Sequence, residues 1–370
     1  MPRAFLAALT AMALPAQAAP LPTPAIDCPL RDARFSVDLP VMDIVASADA
    51  KAVVARIAPA LLTRLPAGLL RPAAPNFSAL VSLRSLDRLG ESDPRRLAML
   101  DRALRRLPIR PDDRTSRCAR YDTVSANLVL PSDKPIVLIF ERMTGYRDGP
   151  AVEAARFAIA AIAERRGWHV VTIDRAGAID PHILGRVSTV VWNNVSGDVL
   201  TLSQRRALRA FVTRGGGFLA THGAAGDVDY FWDWYRDRLI GARFIGHPLN
   251  PQFQDAKVLR DDQAGTIGAG LPNSWTMRDE WYSFAASPRL AGARVVARID
   301  EGTYTPVGRQ GDIRMGADHP IAWKRCVGRG RSFYSAIGHL PQNYAAPEHV
   351  RMLEQALVWT MGDGSRTCRH

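Results

Sequence analysis

The feature that most constrains this chain is a rhythm between residues 134 and 364, where short apolar runs take turns with stretches of helical periodicity. Ile136–Phe140 is five apolar residues in succession, suited to a strand buried on both faces. Residues 151–165 have helical spacing and stop at Gly167. Strands are expected next at His169–Ile173 and Thr189–Trp192, then a helix over 203–213 capped by Ser203, then a strand at Gly217–Thr221. That order requires crossover connections, and so an α/β fold: a parallel sheet with helices on both faces. Further strands are expected at 295–299, 321–323 and 332–336. A closing helix should run from Pro347 to Met361, with Gly362 past its end. In an open sheet of this kind, ligands bind beyond the carboxyl ends of the strands.

The preceding part differs. Residues 1–18 read as an export signal: Arg3, an apolar run over 4–14, and the small-x-small site Ala16-Gln17-Ala18. The mature chain then begins at Ala19, in the periplasm or outside the cell. No later apolar run reaches the ~18 residues a membrane span needs, so no membrane insertion of the mature chain is expected. Residues 19–133 read as a small helical module. Val53, Val54, Ile57, Leu61 and Leu62 suggest a helix over 49–65. Ser92 or Asp93 could cap a second beginning at Pro94, with Leu97, Leu100, Leu104 and Leu107 on one face. Residues 365–370 form a tail. The four cysteines have no C-x-x-C spacing, and an oxidising compartment favours two disulfides. Of three possible pairings, the expected one is Cys28 with Cys118, closing the N-terminal module, and Cys326 with Cys368, tying down the tail.

A net charge of +12 invites a nucleic-acid reading. However, the charge is spread: +1 in residues 1–18, +4 in 19–133 and +7 in 134–370. Binders of phosphate backbones concentrate charge on one face or tail, so no nucleic-acid partner is expected. There is also no G-x-x-x-x-G-K-[ST] loop, and Gly215–Gly217 precedes a strand instead of opening a helix, so no nucleotide cofactor is expected.

The candidate chemistry sits where strands should end. His222 follows the strand from Gly217 and is flanked by Gly223 and Ala224, which permits a sharp turn. His247 lies in Gly246-His247-Pro248, and His339 follows a strand after Gly338. Asp279 and Glu280 stand beside Trp281 and Tyr282. His222, His247, Glu280 and His339 together could hold a divalent metal such as zinc. Alternatively, His222, Asp279 and Glu280 could work as acid and base. Trp281 and Tyr282 suit sugar stacking. The loop with Tyr146, Arg147 and Asp148 follows the first strand and shares the same sheet edge. The aromatic run Tyr230-Phe231-Trp232-Asp233-Trp234-Tyr235 suits a helix packed on the sheet.

In this order several motifs resemble the trehalose-utilisation (ThuA-like) family over about residues 135–362. They are Gly145-Tyr146-Arg147, Gly215-Gly216-Gly217-Phe218 to His222, Gly246-His247-Pro248, Asp279-Glu280-Trp281-Tyr282, His319-Pro320-Ile321-Ala322-Trp323 and Gly338-His339. The resemblance implies a flavodoxin-like sheet similar to that of class I glutamine amidotransferases. It also implies a small carbohydrate partner, a disaccharide or a keto derivative of one. His222 occupies or adjoins the position that holds the amidotransferase cysteine, so glutamine hydrolysis lacks its thiolate. Family members often carry a histidine where this chain has Asp148. The expected activity is isomerisation, elimination or hydrolysis of a sugar; the alternative is sugar binding without turnover.

Overall fold

The computed structural model describes residues 26–88, 90, 92–309, 311–362 and 368. The expected export signal lies outside the described residues, as does the tail apart from Cys368.

Among the described residues, five α-helices build the N-terminal region: α1 (Val41–Ala46), α2 (Ala48–Ile57), α3 (Leu83–Arg88), α4 (Pro94–Leu104) and α5 (Pro111–Cys118). Their apolar faces meet in a core that includes Val53, Val54, Leu61, Leu97, Leu100 and Leu104. Asp93 caps α4 by accepting from the Arg96 N–H. The helix expected over 49–65 stops at Ile57, because Pro59 disfavours helical backbone at Ala58 and brings no N–H to continue the ladder. Residues 59–63 tighten into a 3-10 turn instead.

The rest of the chain supplies β1 (Ile136–Phe140), α6 (Gly149–Arg165), β2 (His169–Ile173), α7 (Pro181–Leu184), β3 (Thr189–Trp192), α8 (Leu202–Thr213) and β4 (Gly217–Thr221). Then follow β5 (Phe244–Gly246), β6 (Gln254–Arg260), β7 (Ser274–Asp279), β8 (Ser283–Phe284), β9 (Arg294–Asp300), β10 (Val307–Gly308), β11 (Gly311–Asp312), β12 (Pro320–Val327), β13 (Gly330–Ser335) and α9 (Pro347–Met361). Nine strands form one sheet in the order β2-β1-β3-β4-β13-β12-β9-β6-β7. From β2 to β13 all neighbours are parallel, as expected; from β13 to β7 all are antiparallel. β1, β3, β4 and β13 are buried at every residue, whereas β6 and β7 alternate buried and exposed. That is the contrast expected between a sheet covered on both faces and one covered on a single face. The cap of α8 is Thr201, in a reciprocal box with Gln204, and not Ser203, whose N–H and hydroxyl go to Asp27.

The antiparallel half is strongly curled. β7 is five strand steps from β4, roughly 24 Å on a flat sheet at ~4.8 Å per step. Yet side chains from the ends of the two strands touch. Register shifts between β12 and β9 at Pro320 and Ala322 mark where the sheet bends. Closure is fixed by Asp279 at the end of β7, which accepts from the Gly338 and Leu340 N–H groups beyond β13, at 2.6 and 3.2 Å.

The helical region docks on the carboxyl edge of the parallel half. The Asn76 N–H donates to Thr144 O after β1, Asp122 pairs with Arg175 after β2, the Tyr121 hydroxyl donates to Asp198 after β3, and Asp229 after β4 accepts from the Ser82 N–H. Cys28–Cys118 and Cys326–Cys368 are disulfide-bonded, the expected pairing. Among the described residues, no helix is long and apolar enough to cross a membrane.

Candidate active site

β4 runs straight into His222, whose φ of +26° is rare for any residue with a Cβ. The surrounding bonds hold that conformation. Its carbonyl accepts from the Tyr334 hydroxyl, and the next N–H, of Gly223, donates to Asn194 Oδ1. Asn194 itself sits at φ +52° at the end of β3. Such conformations persist only where their neighbours over-determine them.

The ring of His222 is fixed too. Its Nδ1 lies 2.7 Å from the Ala336 carbonyl, which can only accept, so Nδ1 carries the proton and Nε2 keeps its lone pair in the neutral ring. Tyr282 packs beside the ring, centroids 4.3 Å apart. His222 Nε2 faces two atoms: His339 Nδ1 at 3.2 Å and Glu280 Oε2 at 3.4 Å. The third edge, His339 Nδ1 to Glu280 Oε2, is 2.9 Å. The chain thus brings two imidazole nitrogens and a carboxylate oxygen into one small triangle, two of its residues fully buried.

Each corner has a support. The other oxygen of Glu280 accepts from the Gln252 amide and lies 3.2 Å from His247 Nδ1. His339 Nε2 faces Asp148 Oδ2 at 3.5 Å. Burial alone would raise the Glu280 carboxyl, but the facing imidazoles of His222 and His339 outweigh it and hold the group far below the usual carboxylate range. Burial alone would lower His339, but the Glu280 carboxylate overrides this and raises it.

A divalent ion fits this triangle. Ligand bonds of about 2.0–2.2 Å imply donor separations of roughly 2.9–3.5 Å, and the three edges fall in that interval. The tautomer of His222, with its far N–H on a backbone carbonyl, is the one metal-binding histidines adopt.

The other expected residues are placed as follows. His247 is not at the triangle: its Nδ1 is taken by the Pro248 carbonyl at 2.8 Å and by Glu280, so it stands behind the carboxylate. Asp279 does not face the site, because its oxygens accept from three backbone N–H groups and it closes the sheet; burial pushes its carboxyl up. Trp281 offers no surface to a sugar. It is fully buried and donates its indole N–H to Gln254 O. Tyr282 is buried beneath His222. Arg147 turns back to the Glu141 carbonyl. Asp148 caps α6 as well as facing His339. Tyr146 stays 54% exposed. The run 230–235 packs on the sheet core through Tyr235, against Trp192 and Phe218. Gln252 and Asn194 were not anticipated. Asn194 had a legible signal, a polar pair directly after an apolar strand, whereas Gln252 had none. His319 is an anchor for the site loop, joining Glu301 to the Tyr282 carbonyl.

A cavity of about 1,210 Å³ lies at the opposite, amino-terminal edge of the parallel strands, against Ser188, Gly215, Gly216 and Arg331. It contains none of these groups.

Strand order 2-1-3-4, with a polar residue on a forced turn after β4, places the chain among flavodoxin-like α/β proteins. Residues 136–360 match the family described as trehalose utilisation, ThuA, and the chain belongs to that family. A solved ThuA-like protein from Bacteroides uniformis is 22% identical with a TM-score of 0.52, the match covering 64% of this chain and 95% of that one. Another, from Parabacteroides merdae, is 17% identical with a TM-score of 0.44, covering 62% and 90%. At these identities the first likeness speaks to fold alone. No curated protein sequence matches the chain significantly.

Proposed function

We propose that this is an exported, metal-assisted enzyme acting on a disaccharide or its keto derivative. The triangle of His222 Nε2, His339 Nδ1 and Glu280 Oε2 carries the reading, and the family's link to trehalose utilisation supplies the substrate class. The two disulfides, and the signal-like residues 1–18, support export. When bound, a divalent ion supplies Lewis-acid polarisation of a sugar carbonyl or hydroxyl oxygen.

The chain's own residues do the rest. Ala336 and Asp148 orient the two imidazoles, and Gln252 and His247 hold the Glu280 carboxylate in place. Glu280 Oε2 is committed to the triangle, so the proton falls to His247. With Nδ1–H on Pro248 and Glu280, its Nε2 keeps a lone pair, and its side chain is 26% exposed. His247 takes the proton from the carbon beside the keto group, and the C–H electron pair moves toward the carbonyl oxygen. Return of the proton elsewhere isomerises the sugar; loss of the glycosidic oxygen, which takes up a proton, eliminates it. The test is turnover of 3-keto-disaccharides by the purified protein with added Zn²⁺ or Mn²⁺ and with chelator. No turnover by folded protein under any metal condition rejects the reading.

Sugar binding without turnover is the second reading, favoured by Asp148 standing where the family often has histidine. Glu280→Gln separates the two: a catalyst loses rate, and a pure binder changes little.

A further inference from the structure

The triangle needs a surface on which a sugar can lie, and Trp281 and Tyr282 do not provide one. Two other aromatics do. Phe253 is half-buried, yet it packs on none of the hydrophobic cores. Its ring instead meets His339, centroids 5.0 Å apart at 70°. Tyr146 is one of two strongly exposed aromatics among the described residues. It too belongs to no core, and it lies two residues before Asp148. Asp148 in turn faces His339 Nε2 at 3.5 Å, so the Tyr146 turn borders the triangle.

Half-exposed rings are commonly mobile, but the backbone under both is pinned. On one side of Phe253, Gln252 donates to Glu280. On the other, Gln254 O accepts the Trp281 indole N–H at 2.8 Å, and the Gln254 side chain bonds the Pro251 and Thr305 carbonyls. The Tyr146 N–H donates to Ser196 Oγ at 3.2 Å, and that hydroxyl donates to buried Asp227. Gly145, just before Tyr146, is seated against Leu80 of the helical region with no room for a Cβ. A ring on a pinned backbone, apolar on its face and left uncovered beside polar chemistry, is suited to stacking on a pyranose, whose C–H face is apolar and whose rim is hydroxyl.

We propose that Phe253 and Tyr146 form the aromatic platform that binds a pyranose ring beside the His222–Glu280–His339 triangle, with Asp148 accepting from its hydroxyls. This rests on the carbohydrate reading above. It also gives the helical region a part in the site, since Leu80 and the Asn76 N–H seat the 144–146 turn.

The test is calorimetric titration of trehalose and of 3-keto-trehalose into the full mature chain and the variants Phe253→Ala, Tyr146→Ala and Tyr146→Phe. Zn²⁺ titration and thermal midpoints are followed in parallel. Expected are about tenfold weaker sugar binding for each alanine variant, near-native binding for Tyr146→Phe, and unchanged Zn²⁺ affinity in all. Native sugar affinity in both alanine variants overturns the platform and leaves the carbohydrate reading standing. Loss of sugar binding together with Zn²⁺ binding or the thermal midpoint also overturns it, since the rings would then be structural. Failure of the unaltered protein to bind either sugar overturns both.

Discussion

Replacing Asp227 with asparagine should stabilise the protein, and by an amount that grows with pH. Asp227 is fully buried where the turns after β3 and β4 meet, accepting from Ser196 Oγ at 3.0 Å and from the Gly197 N–H at 2.9 Å. Burial dominates those two bonds and pushes its carboxyl up to about 7 from an ordinary 3.8. A folded-state value above the unfolded one means that the folded chain holds the proton more tightly. The stability it contributes is complete below pH ~4 and is lost as pH rises through ~7. About three pH units at ~1.4 kcal/mol each give a loss of at most ~4 kcal/mol. Asparagine mimics the protonated acid: Oδ1 can accept from Gly197 and Nδ2 can donate to Ser196. The stability difference, variant minus native, should therefore climb by up to ~1.4 kcal/mol per unit between pH ~4 and ~7 and stay level above. His349 works in the opposite sense. Burial pushes it down to about 4, so its contribution is present above pH ~6.5 and lost on acidification. The difference curve cancels His349, which the native curve alone would not. The assay is equilibrium urea unfolding followed by tryptophan fluorescence at pH 5, 6, 7 and 8 with both disulfides intact. A difference that is flat with pH, or a variant less stable at pH 8, refutes the argument.

Three further outcomes are expected. His222→Ala and His339→Ala should each abolish stoichiometric Zn²⁺ binding, measured by equilibrium dialysis, while far-ultraviolet circular dichroism stays native. Asp148→Asn keeps a residue able to cap α6, so the thermal midpoint should move little, while Zn²⁺ affinity falls roughly 10–100-fold because the orienting carboxylate behind His339 is gone. Asp43→Ala strands the buried Arg120 guanidinium, whose two bonds to Asp43 lie inside the helical region, and should cost about 3–5 kcal/mol in urea unfolding.

The parallel half of the sheet was readable because its strands are buried on both faces and leave unbroken apolar runs, as at Ile136–Phe140. The antiparallel half was largely not. β6 (QDAKVLR) and β7 (SWTMRD) bury one face only and interleave charges, so neither stands out from loop. His222, Glu280 and His339 were each visible as polar residues at strand ends, but their meeting was not, because it depends on the curl of strands that were themselves unseen. The place of Trp281 was illegible for a related reason. Adjacency to Glu280 in the chain said nothing about which face of the turn its indole would occupy, and it fills the core. Asp279 likewise looked like a second reactive acid and proves to be the clasp between β7 and the turn after β13.

That clasp has a mechanical meaning. The two imidazoles ride on a stiff frame, the adjoining parallel strands β4 and β13, while Glu280 arrives at the tip of a cantilever made of β12, β9, β6 and β7. Small changes in twist at each strand add along a cantilever and reach the tip magnified. Asp279 ties the tip down next to the frame, so the alignment of Glu280 with the histidines is shielded from substitutions far away in the antiparallel arm for as long as that clasp holds.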